Sequence, residues 1–181
     1  MKTNLLVVLM LIGIFSFSCK KERTQITSHP QSISYIRTIA DSVLTQWHQA
    51  AAKADFEGYF NLMTSDAIFI GTDATENWNI NEFKAFSKPY FDKGQAWSFT
   101  ALERHIFVSE DLQTVWFDEL LDTWMKLCRG SGVMKMENGH WKIAHYVLSV
   151  TVPNDDINEF INIKKDTDSI LTNKLKLNNS K

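Results

Sequence analysis

Two carboxylates and an indole crowd one short polar segment, residues 72–79 (TDATENWN), which holds Asp73, Glu76 and Trp78. A carboxylate held against an aromatic wall has its charged form disfavoured. Its pKa then rises toward the range in which it can act as a general base, as abstraction of a proton next to a carbonyl requires. The competing reading is that Asp73 and Glu76 cap the loop and face water, where most acids lie.

A second pair, Asp118 and Glu119, follows Trp116 and Phe117. Strand alternation sends neighbours to opposite faces, so at most one of the two acids shares a given surface. Asp118 falls with Trp116, Leu120 and Trp124, and Glu119 falls with Val115, Phe117 and Leu121. A buried carboxylate needs a partner. Arg129, just before Gly130 and Gly132, is the expected one. It can neutralise Asp118 or Glu119, or clamp a ligand carboxylate with its fork of donors, while the glycines permit a bulge or a close backbone approach.

His105 and His145 lie within strand-like runs, and imidazole titrates in the range useful for acid-base work. A pair such as His145 with Asp118 has the chemistry for dehydration or isomerisation. Each histidine alone also reads as a hydrogen-bonded sheet residue, as does His48. No sequence-local third ligand completes a metal motif, so no metal is expected. No phosphate loop, cofactor fingerprint or Ser/His/Asp order is present, and no cofactor is expected. The catalytic candidates are thus Asp73, Asp118 and His145. The ligand-binding candidates are Trp47, Phe69, Asp73, Trp78, Trp97, His105, Trp116, Asp118, Arg129 and His145. Trp47, Phe60, Phe69, Trp78, Trp97 and Trp116 either line a cavity for a flat or apolar small molecule or fill the core, with Trp78 the one placed to touch ligand.

The elements that must position these groups read as α+β. Residues 35–54 carry Ile36, Ala40, Val43, Leu44, Trp47, Ala51 and Ala54 on one helical stripe. A short helix over 56–63 is capped by Asp55. A strand at 67–71 precedes the acidic loop, and a third helix is capped by Asn79 or Asn81 and runs to about residue 91. Pro89 is expected to end or kink it, and Lys93-Gly94 to close it. Beyond Gly94 the period becomes two, over 97–108, 114–127, 132–137 and 140–152, with Asn138-Gly139 as a hairpin turn. In the first of these strands Trp97, Phe99, Ala101, Glu103, His105 and Phe107 share one face, and Leu102, Arg104, Ile106 and Val108 the other. Asp155 caps a last helix whose apolar face is interrupted by Lys164 and Asp168, so the tail docks weakly or only at its start.

At 181 residues and 44% hydrophobic content, one domain with a substantial core is expected. The 19 basic and 21 acidic side chains give a formal charge of −2 without long single-sign blocks. That speaks against nucleic acid as a partner. Residues 1–18 read as a targeting segment, with Lys2 followed by an apolar run. Its ending with residue 19, FSFSC, resembles a bacterial lipoprotein signal, which implies lipidation of Cys19, a membrane anchor and a place in the cell envelope. The rival is a plain cleaved secretory signal. Removing residues 1–18 takes away only Lys2 among charged groups, leaving 18 basic and 21 acidic, or −3. With Cys19 acylated, Cys128 is left unpaired. Residues 19–34 then form a polar tether, 35–153 the domain and 154–181 the tail.

Helices followed by an antiparallel sheet, together with DATENWN, VWFDELLDTW, CRGSGV and HWKIAHYVLSVTVPND in that order, resemble the SnoaL-like domain family of the nuclear transport factor 2-like superfamily (the ketosteroid-isomerase-like group). The resemblance implies a cone with a pocket between the helices and the concave sheet face, and a homodimer. It implies little about the reaction, since one frame carries isomerases, dehydratases, cyclases and binding modules. The tyrosine and two-acid arrangement of the steroid isomerases cannot be placed on this sequence. Three functions stay open: binding of a small, partly apolar molecule, cofactor-free catalysis of the isomerase, dehydratase or hydrolase kind by a pocket carboxylate or histidine, and interaction as a homodimer or with an envelope partner through the outer sheet face.

Overall fold

In the computed structural model, residues 30–179 are described. The leader over 1–18, Cys19 and the tether up to residue 29 lie outside the described residues. Helix α1 spans Pro30–Ala52. It therefore starts within the stretch expected to be tether, with proline at the first helical position, where a missing N–H costs nothing. Its apolar stripe is the expected one: Ala40, Leu44, Trp47 and Ala51 are fully or almost fully buried.

Helix α2, Phe56–Asn61, is capped by Asp55, whose carboxylate accepts from Gly58 N. It ends before Met63 because that residue opens strand β1, Met63–Ile70, and is itself buried. The acidic loop leads into a short strand, β2 (Asn77–Asn79), antiparallel to β1. Asn79 then caps helix α3, Ile80–Asp92, in a reciprocal capping box with Glu82. Pro89 does not end this helix, which continues to Asp92. Pro89 lies on an exposed face one turn from the C-terminus, where water can satisfy the carbonyl it frees. Gly94, at φ +70°, then closes the helix as expected.

The sheet runs β2-β1-β6-β5-β4-β3, with β3 Thr100–Val108, β4 Thr114–Thr123, β5 Lys126–Glu137 and β6 His140–Val150. Strands β3 to β6 form the expected antiparallel meander, and β1 joins its edge parallel to β6. Strand β1 starts at Met63 rather than at the expected residue 67, and three details of the meander also differ from the sequence reading. Residues 97–99 precede β3. Within β3 a register shift between Ala101 and Glu103 leaves Leu102 as an extra, exposed residue, so Ala101 turns inward with Arg104, Ile106 and Val108 instead of opposing them.

The third difference is the turn between β4 and β5, at Trp124-Met125, in place of one strand running to residue 127, so β5 begins at Lys126 rather than at the expected residue 132. Thr123 Oγ1 accepts from Met125 N and donates to Lys126 O, both at 2.9 Å, and Lys126 takes a left-handed φ of 71°. Asn138-Gly139 makes the expected tight turn, both residues at positive φ.

After β6 a single 3₁₀ turn over Asn154–Asp156 precedes helix α4, Ile157–Asn178. Asp155 lies inside that turn, and the capping position is Asp156, whose side chain makes no capping bond. No residue of α4 is buried, in keeping with the interrupted stripe. The core lies where α1, α2 and α3 meet the inner face of the sheet.

Candidate functional site

Strand β4 sorts its side chains by alternation. Val115, Phe117, Glu119, Leu121 and Thr123 are buried on the inner face, while Trp116, Asp118, Leu120 and Asp122 point the other way. Glu119 is thus the buried acid, with no exposed surface. Its Oε1 lies 2.8 Å from His48 Nε2 on α1 and accepts from the Tyr146 hydroxyl on β6 at 2.9 Å. Its Oε2 accepts from Arg104 Nε on β3 at 2.9 Å. Arg104 also donates through Nη1 to Asp41 Oδ1 (2.7 Å) and Thr45 Oγ1 (3.0 Å) on α1.

Burial alone pushes the Glu119 carboxyl up, but the hydrogen bond and charge of His48, the Arg104 guanidinium and the Tyr146 hydroxyl outweigh it and hold the pKa below the ordinary glutamate value. Tyr146 is held well above its ordinary value, by burial first and by the Glu119 charge next, so it remains a donor. Gly130 makes this packing possible, since a Cβ there would overlap the Tyr146 hydroxyl. The glycines after Arg129 serve close approach rather than Arg129 itself.

Of the two acids expected to pair with Arg129, the buried Glu119 thus belongs to Arg104, and Arg129 keeps Asp118. Arg129 is more than half exposed, 3.6 Å from Asp118 Oδ1, and Asp118 also meets His105 Nδ1 at 3.0 Å. These three, with exposed Trp116 stacked on Phe107 at 5.7 Å, sit on the outer face. His145 alternates with buried Tyr146 on β6 and stands opposite Val133. The structure brings His105, Asp118 and Arg129 together, but away from the inner face, and it does not pair His145 with Asp118. Trp47 is wholly core: it stacks on Tyr59 at 4.8 Å and meets Tyr146 edge-on at 4.7 Å. Phe60 is core as well.

The acidic loop divides its two acids. Asp73 is exposed and accepts from Thr75 N at 2.8 Å and from the Thr75 hydroxyl. Those bonds lower its pKa, the side-chain bond most, which reverses the expected rise. Glu76 instead lines a cavity of about 370 Å³ between the end of β1, α3, residues 96–99 and the β4–β5 turn. Its walls are aromatic. Trp78 stacks on Phe86 at 4.3 Å, Phe83 on Phe69 at 3.9 Å, and Trp97 lies 5.9 Å from Phe83. Trp124, 78% exposed, and Tyr90, 47% exposed, stand among the lining residues. Of the ligand-binding candidates, Phe69, Trp78 and Trp97 meet here.

A second cavity, of about 330 Å³, is lined by His48 and Arg104 together with Thr45 and Gln49, and Phe99 lines both cavities. The sequence reading missed Arg104 as a site residue. The β3–β4 hairpin was the available signal: it sets Arg104 opposite Glu119 and His105 opposite Asp118.

No curated protein matches the sequence. Among solved structures, an NTF2-like protein of unknown function from Pseudomonas putida KT2440 is similar, at 13% identity and TM-score 0.55 over 70% of this chain and 91% of that one. A protein from Streptomyces avermitilis, provisionally named a dehydratase of the NTF2-like family, is similar at 12% identity and TM-score 0.58 over 66% and 99%. An NTF2-like protein from Cytophaga hutchinsonii ATCC 33406 is similar at 18% identity and TM-score 0.53 over 64% and 98%. At such identities the likeness shows the fold alone. The SnoaL-like domain family, however, matches residues 40–153 directly, across the later part of α1, the whole sheet and both cavities, and the chain belongs to that family.

Proposed function

We propose that the protein is a lipid-anchored component of the cell envelope whose SnoaL-like domain binds a small, flat, largely apolar molecule. The observation that carries this reading is the aromatic cavity of about 370 Å³, within the range of about 300–1,000 Å³ usual for small-molecule sites. Rings stacked on one another give it rigid apolar walls, and such walls bind planar molecules without first being ordered. The anchor rests on the FSFSC ending at Cys19.

A neutral fluorescent probe, N-phenyl-1-naphthylamine, tests the cavity. Its emission should rise with the wild-type protein and stay at background with Ala96→Trp, which fills the space beside Trp97. Equal enhancement in both, with matched melting temperatures, contradicts the reading.

A second reading has its own observation. Glu119 fixes His48 through Nε2, no hydrogen bond occupies the Nδ1 of that ring among the described residues, and His48 borders the second cavity. A carboxylate-oriented imidazole beside a cavity is equipped for proton transfer without a cofactor. This reading requires a His48→Gln variant to keep its ligand and lose turnover. Pairing of two copies through the outer face, where Phe107 and Trp116 are 40% and 45% exposed, accompanies either reading. Trp116→Glu should then lower the mass seen by light scattering from dimer to monomer, and an unchanged mass contradicts the pairing.

A further inference from the structure

We infer that the aromatic cavity selects a planar organic cation; this rests on the small-molecule reading above and narrows its ligand class. Glu76 is the single charged side chain among the residues lining the cavity, and no lysine, arginine or histidine lines it. Among the described residues Glu76 forms no ion pair, and its carboxylate accepts only from Asp73 N, at 3.1 Å. The lysines of α3 that lie nearest in sequence are engaged elsewhere: Lys84 over the Phe60 ring, and Lys88 over Phe56 and paired with Asp92.

The carboxylate is also seated by the chain around it. Gly71 leaves the space that Glu76 Oε2 occupies, since a Cβ there would overlap it. The cavity thus combines a fixed negative charge with the rings of Trp78, Phe86, Trp97 and Trp124. Indole faces attract cations, most strongly once water is displaced, and a delocalised cation is the kind that loses its hydration at small cost. An anion of the same shape meets the Glu76 charge with nothing to offset it.

Calorimetric titration of the full chain at neutral pH with three probes built on one planar bicycle tests this: N-methylquinolinium, neutral quinoline and anionic 1-naphthoate. The cation should bind at least about tenfold tighter than the anion, equivalent to ~1.4 kcal/mol. Glu76→Gln should remove most of that difference and leave quinoline within about twofold, as expected when only a charge term is deleted. Binding of quinoline with no preference for the cation over naphthoate overturns the inference and leaves the small-molecule reading standing. Binding of none of the three overturns both. Should Glu76→Gln unfold, the wild-type comparison of cation against anion still decides, and Gly71→Ala, which displaces the carboxylate, replaces it as the variant.

Discussion

His48 Nε2 on α1 and Glu119 Oε1 on β4 meet at 2.8 Å, with both side chains almost wholly buried. This contact, with Arg104 on the other carboxylate oxygen, pins the first helix to the inner face of the sheet. A carboxylate so placed is costly to bury alone and is compensated only by the full set of partners.

Removing the acid should therefore be severe. Glu119→Ala leaves the Arg104 Nε and the His48 Nε2 buried without their acceptor and is expected to cost about 3–5 kcal/mol in chemical denaturation. Arg129→Ala breaks an exposed pair at 3.6 Å and is expected to cost less than about 1 kcal/mol. Equal losses in the two variants would contradict the assignment of Arg104, rather than Arg129, as the partner of the buried acid.

Two buried tyrosines should respond oppositely to loss of the hydroxyl. Tyr146 donates to Glu119 at 2.9 Å, and Tyr146→Phe should cost about 1–3 kcal/mol, as for bonds to charged groups. The Tyr59 hydroxyl is buried beside the Trp97 side chain but forms no hydrogen bond of good geometry among the described residues. Tyr59→Phe should be neutral or stabilising by up to about 1 kcal/mol, since it deletes an unsatisfied group. Thermal melts of the pair check this, and a large loss in Tyr59→Phe would reveal a partner for that hydroxyl.

Acid sensitivity should arise partly at the β5–β6 turn. Glu137 accepts from Ser65 N and Oγ and from Lys142 Nζ, and the backbone bond from Ser65, the largest cause, helps to lower its pKa to about 2. A lowered folded pKa means the stabilisation is complete above the unfolded value of roughly 4.3 and is lost as pH falls toward the folded one. Wild type and Glu137→Gln should thus differ in melting temperature at neutral pH and converge between about pH 4 and pH 2. A difference that persists unchanged to the acid end would contradict the ionic origin.

The anchor reading concerns Cys19, which lies outside the described residues, and has its own test. Cys19→Ser, expressed in a bacterial host with lipoprotein processing, should move the protein from the membrane pellet to the soluble fraction. Retention in the pellet contradicts acylation at that position.

Much of the fold was legible because helix and strand periods are written in side chains that the core needs. Ala40, Leu44 and Trp47 on α1 and the alternation of Val115, Phe117, Glu119 and Leu121 on β4 were assigned their faces from spacing alone. Period counting failed where the backbone breaks period. The extra residue at Leu102 shifted one strand face, and the Trp124-Met125 turn, held by Thr123, carries neither glycine nor proline to mark it. Site chemistry was harder to read because it depends on which strands become neighbours. Glu119 could be narrowed to one of two acids, yet its partners came from α1, β3 and β6, and Arg104 was recoverable only through the β3–β4 register. In the acidic loop Glu76 and Asp73 look alike in sequence. Thr75 claims Asp73, and Glu76 is left to the cavity.

The central claim is that the aromatic cavity holds a small molecule, and native mass spectrometry of the protein purified from its own host tests it most directly. A retained species of a few hundred daltons is expected on the wild-type domain, released on gentle activation and absent from Ala96→Trp purified in the same way. A wild-type spectrum at the bare protein mass after mild extraction, or the same adduct on the cavity-filled variant, would contradict it.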